Sequence, residues 1–251
     1  MKLYKLTSEG GMTRGDIKWG EGVEHRVPPV ENPRLCTEDV IHAYQNANLA
    51  YFLNPIHANF KNPILWEADG EVVVGDWGKV GCFGLRTIKR LDAPRWVGGS
   101  KKKLVCVAFA VLCAEAVLCT YEKRHPGCDA PRKAINAAWE YIKNQNSAGV
   151  NASGVDAYAA VDAAYDAGRH SAVDAVYAAD AAYAAGHAYA TCVAPNVNAY
   201  TIHAAYAAIH AAEADTQRNG INTIDFGALA DEAVEMSVNT QKQERVSEHN
   251  I

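Results

Sequence analysis

The stretch "SGVDAYAAVDAAYDAGRHSAVDAVYAADAAYAAGHAYA", residues 153–190, does most to limit what this chain can become. It carries almost no large aliphatic side chain. Asp156, Asp162, Tyr165 and Gly168 return as Asp174, Asp180, Tyr183 and Gly186, each 18 residues on, which is five helical turns. Ser153 and Ser171 each stand three residues before an Asp, a variant of the capping box, and Gly168 falls where a helix-ending glycine belongs. Two helices, about 153–167 and 171–191, satisfy these signals; one helix of nearly 40 residues keeps the same face and is the alternative. Alanine has the best helix propensity, and its small side chain lets helix axes approach closely. Tyr fills gaps while keeping a polar tip, and Asp supplies solubility and favourable first-turn charge. The expectation is a close-packed antiparallel bundle rather than a ligand code or a disordered tract.

Composition changes near residue 98. Before it lie short β-like runs: Lys2–Thr7, Trp66–Gly75, Lys79–Gly84 and Leu85–Leu91. Thr37–Asn54 reads as a helix capped by Thr37. After it come a helix through "KKLVCVAFAVLCAEAVLCTYEK", a break at "RHPGCDAP", and a helix in which Ile135, Trp139 and Ile142 mark one face. Further helices are expected over 199–217 and from Ala228 onward. The fold class is therefore α+β. Residues 1–97 form a small β-rich N-terminal domain, 98–103 a linker, 104–240 an alanine-rich antiparallel helical bundle, and 241–251 a flexible tail. The apolar run Leu104–Cys119 contains Glu115 and falls short of the roughly 20 residues that a spanning helix needs, so it reads as a core helix and no membrane is expected.

The net charge of -5 gives no global basic field, so nucleic acid is not an expected partner. Seven cysteines without a CxxC pair point away from a disulfide framework or a zinc site and toward a reducing cytosol. The start "MKLYKLTSEGG" has no apolar signal region, and the cytoplasm is the expected location.

His187, His203 and His210 fall on successive expected helices. With Cys192 they could ligate a metal, but no closely spaced His pair or HExxH is present, so they read as core or groove histidines and no metal or cofactor is expected. Arg132, Trp139, His187 and Tyr189 could line a pocket for an anionic or aromatic ligand. Equally, Trp139 could be core and Arg132 paired with an acid. Cys106, Cys113 and Cys119 read as small core residues. In the first part, Arg14, Trp19, His42, Tyr44 and His57 could supply polar groups to a cleft, and Arg14 with Trp19 also suits a partner-binding tip. No nucleophile, base and orienter are readable together, and "GDWG" is not a phosphate loop. Gathering of His42, His57 and Arg14 in one cleft would favour an enzyme; dispersal would count against it.

The run "KLVCVAFAVLCAEAVLCTYEKRHPGCDAPRKAINAAWEYI", followed by "AAYAAGHAYATCVAPNVNAYTIHAAYAA", resembles bacterial and phage immunity proteins with an alanine-rich helical domain, over roughly residues 102–236. Where those proteins often carry a second His, Cys192 and Val193 stand here, which speaks against a His-pair metal site. The first part, through "HAYQNANLAYFLNPI" and "LWEADGEVVVGDWGKVGCFGLRTIKRL", resembles a small phage domain of unknown function; Cys36, His42, Glu67, Gly70 and Lys79 occupy its matching places. The resemblance implies a protein type rather than a reaction. The expected function is a non-enzymatic cytoplasmic binding protein that neutralises a protein partner or small ligand in immunity or phage–host conflict. The alternatives are sequestration of a nucleotide-like signal by the helical domain, and a structural role in which Ala/Tyr helix faces build a homo-oligomer.

Overall fold

In the computed structural model, which describes residues 1–98, 102–144, 207 and 224–236, the chain divides into two compact units, Met1–Gly98 and Gly99–Ile251. The N-terminal unit is built on antiparallel strands. Strand β1 (Lys2–Thr7) pairs with β6 (Ile64–Gly75), and β6 pairs with β7 (Val80–Leu91). The far edge of β7 is shared: its start pairs with β5 (Ile41–Ala43), and residues 84–86 pair with β4 (Glu24–Arg26). Tyr4 and Tyr44 exchange backbone hydrogen bonds, both 2.8 Å, so the end of β5 returns to β1 and the ring β1–β6–β7–β5 closes. A small hairpin of β2 (Met12–Thr13) and β3 (Ile17–Lys18) leads from β1 toward Trp19.

The core of this unit is Leu3, Trp19, Ile41, Ala43, Ala68, Val80, Cys82 and Leu85, with Val27 and Val72 packed against it. Helix α1 (Ala47–His57) buries Leu49, Ala50, Phe52 and Leu53. Its N-cap is Asn46, whose Oδ1 accepts the Leu49 N–H at 2.9 Å. Asn54 ends it by binding both backbone groups of Phe60. The short turn α2 (Arg95–Gly98) is anchored by Trp96, which stacks on Phe52 and donates to Asn48.

Strand β1 forms where the sequence predicts it. The runs expected as separate strands, Lys79–Gly84 and Leu85–Leu91, lie on one strand, β7, which pairs with β6 along its length and with β4 through residues 84–86. The helix expected over Thr37–Asn54 is corrected: residues 41–43 are strand, and the helix starts ten residues later. The β-branched pair Val40–Ile41 favours strand, while Thr37 Oγ1 donates to the Arg34 carbonyl and accepts from the Asp39 N–H in a local turn.

The described part of the C-terminal unit is a helical hairpin and one further helical segment. Helices α3 (Lys102–Arg124) and α4 (Ala130–Asn144) run antiparallel, as the pairs Glu122–Arg132 and Glu115–Trp139 require. Residues 226–236 are helical, capped by Asp225 Oδ1 on the Ala228 N–H at 3.0 Å, with Phe226, Ala230 and Ala233 buried. The expected fold class is thus corrected: the described residues form an antiparallel β-sheet unit with a few helices, and they do not form an alanine-rich helical bundle. The physical reason lies in what alanine supplies. It favours helix locally, but a buried methyl-sized group contributes roughly 0.8 kcal/mol against about 1.5–3 for a large aliphatic side chain, so propensity does not specify how helices pack. The 153–190 repeat lies outside the described residues.

By length and composition α3 is able to cross a membrane, yet most of its apolar segment is buried inside the protein. Cys106 and Cys113 are core residues of this helix, whereas Cys119 is exposed.

Candidate functional site

Strand β5 is short, and three constraints fix it. His42 is in register with Gly81. A Cβ on Gly81 would lie 2.5 Å from Val40 Cγ2 and 2.9 Å from Val74 Cγ1, so only glycine admits β5 this close. On its other side β5 is held by the Tyr4–Tyr44 exchange. The backbone of His42 therefore points its carbonyl to β1, where the buried Lys5 donates to it through Nζ at 2.6 Å. The Lys5 ammonium also lies 5.0 Å from the Trp19 ring centroid. Lys5 is 7% exposed, and burial pulls its pKa down to about 8, with Cys82 acting in the opposite sense. An ammonium has three donors, and one carbonyl and one aromatic face are its partners here.

The His42 ring, half-buried, accepts from the Cys36 backbone N–H through Nε2 at 2.9 Å. Cys36 is exposed, and the Lys79 ammonium donates to its Sγ at 2.9 Å. Cys36 has φ +63°, a left-handed conformation that favours glycine. Lys79 opens β7 from the tight turn after β6, in which Asp76 Oδ1 accepts the N–H groups of Gly78 and Lys79, each at 2.8 Å. On the α1 side, Tyr44 Oη and His57 Nδ1 are 3.1 Å apart with their rings stacked, and Trp77 lies 6.4 Å from the His57 ring.

The electrostatics of this cluster are lopsided. His42 has its pKa pushed down to about 4, first by burial, then by the charges of Lys5 and Lys79 and more weakly Arg14; Asp76 opposes them. His57 is also pushed down to about 4, first by burial, then by Lys79, again opposed by Asp76. Both rings are therefore neutral at pH 7. Three cations act on one histidine against a single carboxylate, and that carboxylate already accepts two backbone hydrogen bonds.

The residues singled out from sequence divide accordingly. His42 stands in this cluster, and exposed Arg14 contributes charge to it. Trp19 is not a partner-binding tip: it is 2% exposed, with Nε1 donating to Thr13 Oγ1 and the Lys5 ammonium over its ring. Trp139 donates to Glu115 Oε1 at 2.8 Å, and Arg132 grips Glu122 through Nε and Nη2 at 2.9 and 2.8 Å. These two close the hairpin. His187, Tyr189 and His203 lie outside the described residues. Among the described residues no three His, Cys, Asp or Glu side chains are grouped to hold a metal ion.

Sequence reasoning missed Lys5 and Asp76. The signal for Lys5 was its place on β1: Leu3, Lys5 and Thr7 share one face of a strand, and Leu3 is core. Comparison with protein-family models, curated proteins and solved structures finds no match.

Proposed function

We propose that this chain is a binding protein whose N-terminal unit takes up a small anion at the β5 edge, beside Lys79 and His42. The observation that carries the reading is the charge imbalance: Lys5, Lys79 and Arg14 bear on His42 with only Asp76 to oppose them. A buried ammonium with few acceptors is costly unless a counter-charge joins it, and a bound anion would supply one. Trp77 beside His57 adds an aromatic surface, which suits an anion carried on a base or ring, such as a nucleoside monophosphate. Sequestering such a ligand would neutralise a signal rather than transform it, in line with the binding role expected from the sequence.

Isothermal titration calorimetry on the full chain tests this reading with adenosine monophosphate, inorganic phosphate and citrate, and with neutral adenosine as control. Saturable binding of at least one anion is expected, weaker at high salt. Lys79→Met should weaken it about tenfold, the scale of one charge-assisted hydrogen bond. No anion-dependent heat at millimolar ligand, or equal binding of adenosine, overturns it.

A further inference from the structure

The strand ring closes between β1 and β5 through one residue pair. In an antiparallel ladder a residue turns its N–H and C=O to one neighbouring strand, and the next residue turns them to the other. Tyr4 gives both groups to Tyr44, so Leu6 also faces β5, while Leu3, Lys5 and Thr7 turn their backbones to β6. In the same way His42 and Tyr44 face β1, while Ile41 and Ala43 face β7. The step after Tyr4–Tyr44 would therefore join Leu6 to His42. The ladder is not continued to it: Tyr4–Tyr44 is an isolated bridge. A side chain stands there instead, with Lys5 Nζ 2.6 Å from the His42 carbonyl oxygen. The His42 N–H is left without the Leu6 carbonyl that a continued ladder would give it.

This gap is under cover and rich in donors. Leu6 is 3% exposed and Lys5 7%. Of the three ammonium hydrogens of Lys5, one goes to the His42 carbonyl, and the Trp19 ring centroid lies 5.0 Å away. In an extended residue the N–H and C=O lie side by side on one strand edge, so the His42 N–H stands next to the oxygen that holds Lys5 Nζ. A covered N–H and a buried ammonium short of acceptors each carry a desolvation cost, which one shared acceptor lowers. We infer that the gap in the β1–β5 ladder is an oxyanion subsite, in which one ligand oxygen accepts from Lys5 Nζ and from the His42 backbone N–H. The inference rests on the reading that this unit takes up an anion, and it gives that anion its point of contact. An oxygen of a phosphate or carboxylate stands in for the Leu6 carbonyl and ties β5 to β1 through Lys5.

The test follows the His42 amide proton by NMR in the full chain labelled with nitrogen-15 histidine, the signal being assigned by its loss in His42→Gln. Inorganic phosphate and acetate are titrated separately, against sodium chloride at matched ionic strength. A saturable downfield shift is expected, with the same midpoint as the calorimetric titration of that anion. The anion that acts at the lower concentration identifies the bound group as phosphate or carboxylate. Lys5→Met should weaken binding roughly thirtyfold, the scale of a charge-assisted hydrogen bond under cover, and remove the shift. Lys79→Met should keep the shift once the anion is saturating. Calorimetric binding with an unmoved His42 amide overturns the subsite and leaves anion uptake standing, as does a shift that survives intact in Lys5→Met. Neither heat nor shift overturns both.

Discussion

The β5 edge of the N-terminal unit and the α3–α4 hairpin of the C-terminal unit are built from similar polar side chains put to opposite uses. In the hairpin several charged or polar groups have matched neighbours: Arg132 on Glu122, Trp139 on Glu115, Lys133 on Asp129, Tyr121 on Cys128. At the β5 edge, Lys5 is buried against a carbonyl and a ring, Lys79 donates to a thiol, and the histidines are kept neutral by surrounding cations and burial. Complementary pairing is what a fold uses to hold itself together. Unbalanced charge around a strand edge, with one of its ammoniums buried, is destabilising on its own terms, and it is the expected mark of a site that meets a ligand.

Glycine replacement gives the largest contrast between the two regions. In Gly81→Ala the new Cβ meets Val40 Cγ2 at 2.5 Å and Val74 Cγ1 at 2.9 Å, both within the packed seat of β5. A loss of about 3 kcal/mol is expected, at the upper end of ordinary overpacking. Gly127→Ala, in the turn between α3 and α4, meets nothing within 4 Å and should change stability by no more than about 0.5 kcal/mol. Tryptophan fluorescence during urea unfolding separates the two, because Trp19, Trp66, Trp77 and Trp96 lie in the N-terminal unit and Trp139 is the only tryptophan outside it. Equal midpoints for the two variants would mean that β5 is not tightly seated.

Lys5→Met addresses the same contrast from the side of charge. Met matches the length of the lysine stem without its ammonium. Replacing a buried, poorly compensated charge by an apolar side chain of similar size should stabilise the N-terminal unit by about 1–3 kcal/mol near pH 7, and weaken anion binding. The pH dependence follows from the lowered pKa. With Lys5 at about 8 in the folded protein and its ordinary value at 10.5, the unfolded chain holds more protons between those values, so wild-type stability rises with pH across that window. The advantage of Lys5→Met should therefore shrink from pH 8 to 10.5, read as converging urea midpoints. Destabilisation by Lys5→Met at pH 7 would show that the carbonyl and Trp19 contacts already outweigh the burial, and would break the comparison.

How much of this was legible depends on which physical effect decided each element. Strand β1 and helices α3 and α4 follow from local pattern, and they form at the expected places. Strand β5 does not follow from local pattern. Its three residues are strand because Gly81 lets β7 come close and because Tyr44 meets Tyr4, contacts 39 and 40 positions apart in the chain. The alanine repeats lie outside the described residues, and a 3.6-residue period reports which face a helix has, not what covers it. At the site, His42, His57 and Arg14 were nameable as polar candidates, but their relation to Lys5 and Lys79 is tertiary. A lysine in "KLYKLT" reads as an exposed alternate position until Leu3 on the same face is known to be core.

The smallest expected effect is at Arg132, and it tests the other half of the comparison. Its guanidinium meets Glu122 bidentately, but the two side chains are 45% and 39% exposed. An exposed ion pair is screened by solvent, so even good geometry leaves on the order of 0.5 kcal/mol. Arg132→Ala should lower the midpoint of the helical transition, followed by circular dichroism at 222 nm, by a degree or two, about the shift such an energy gives, and should leave anion binding in the titration unchanged. Arg132→Lys should recover little, because an ammonium cannot make the fork that the guanidinium makes. If Arg132→Ala instead abolished anion binding while the helical transition stayed in place, Arg132 would be a ligand contact. The division between a paired hairpin and an unpaired β5 edge would then fail.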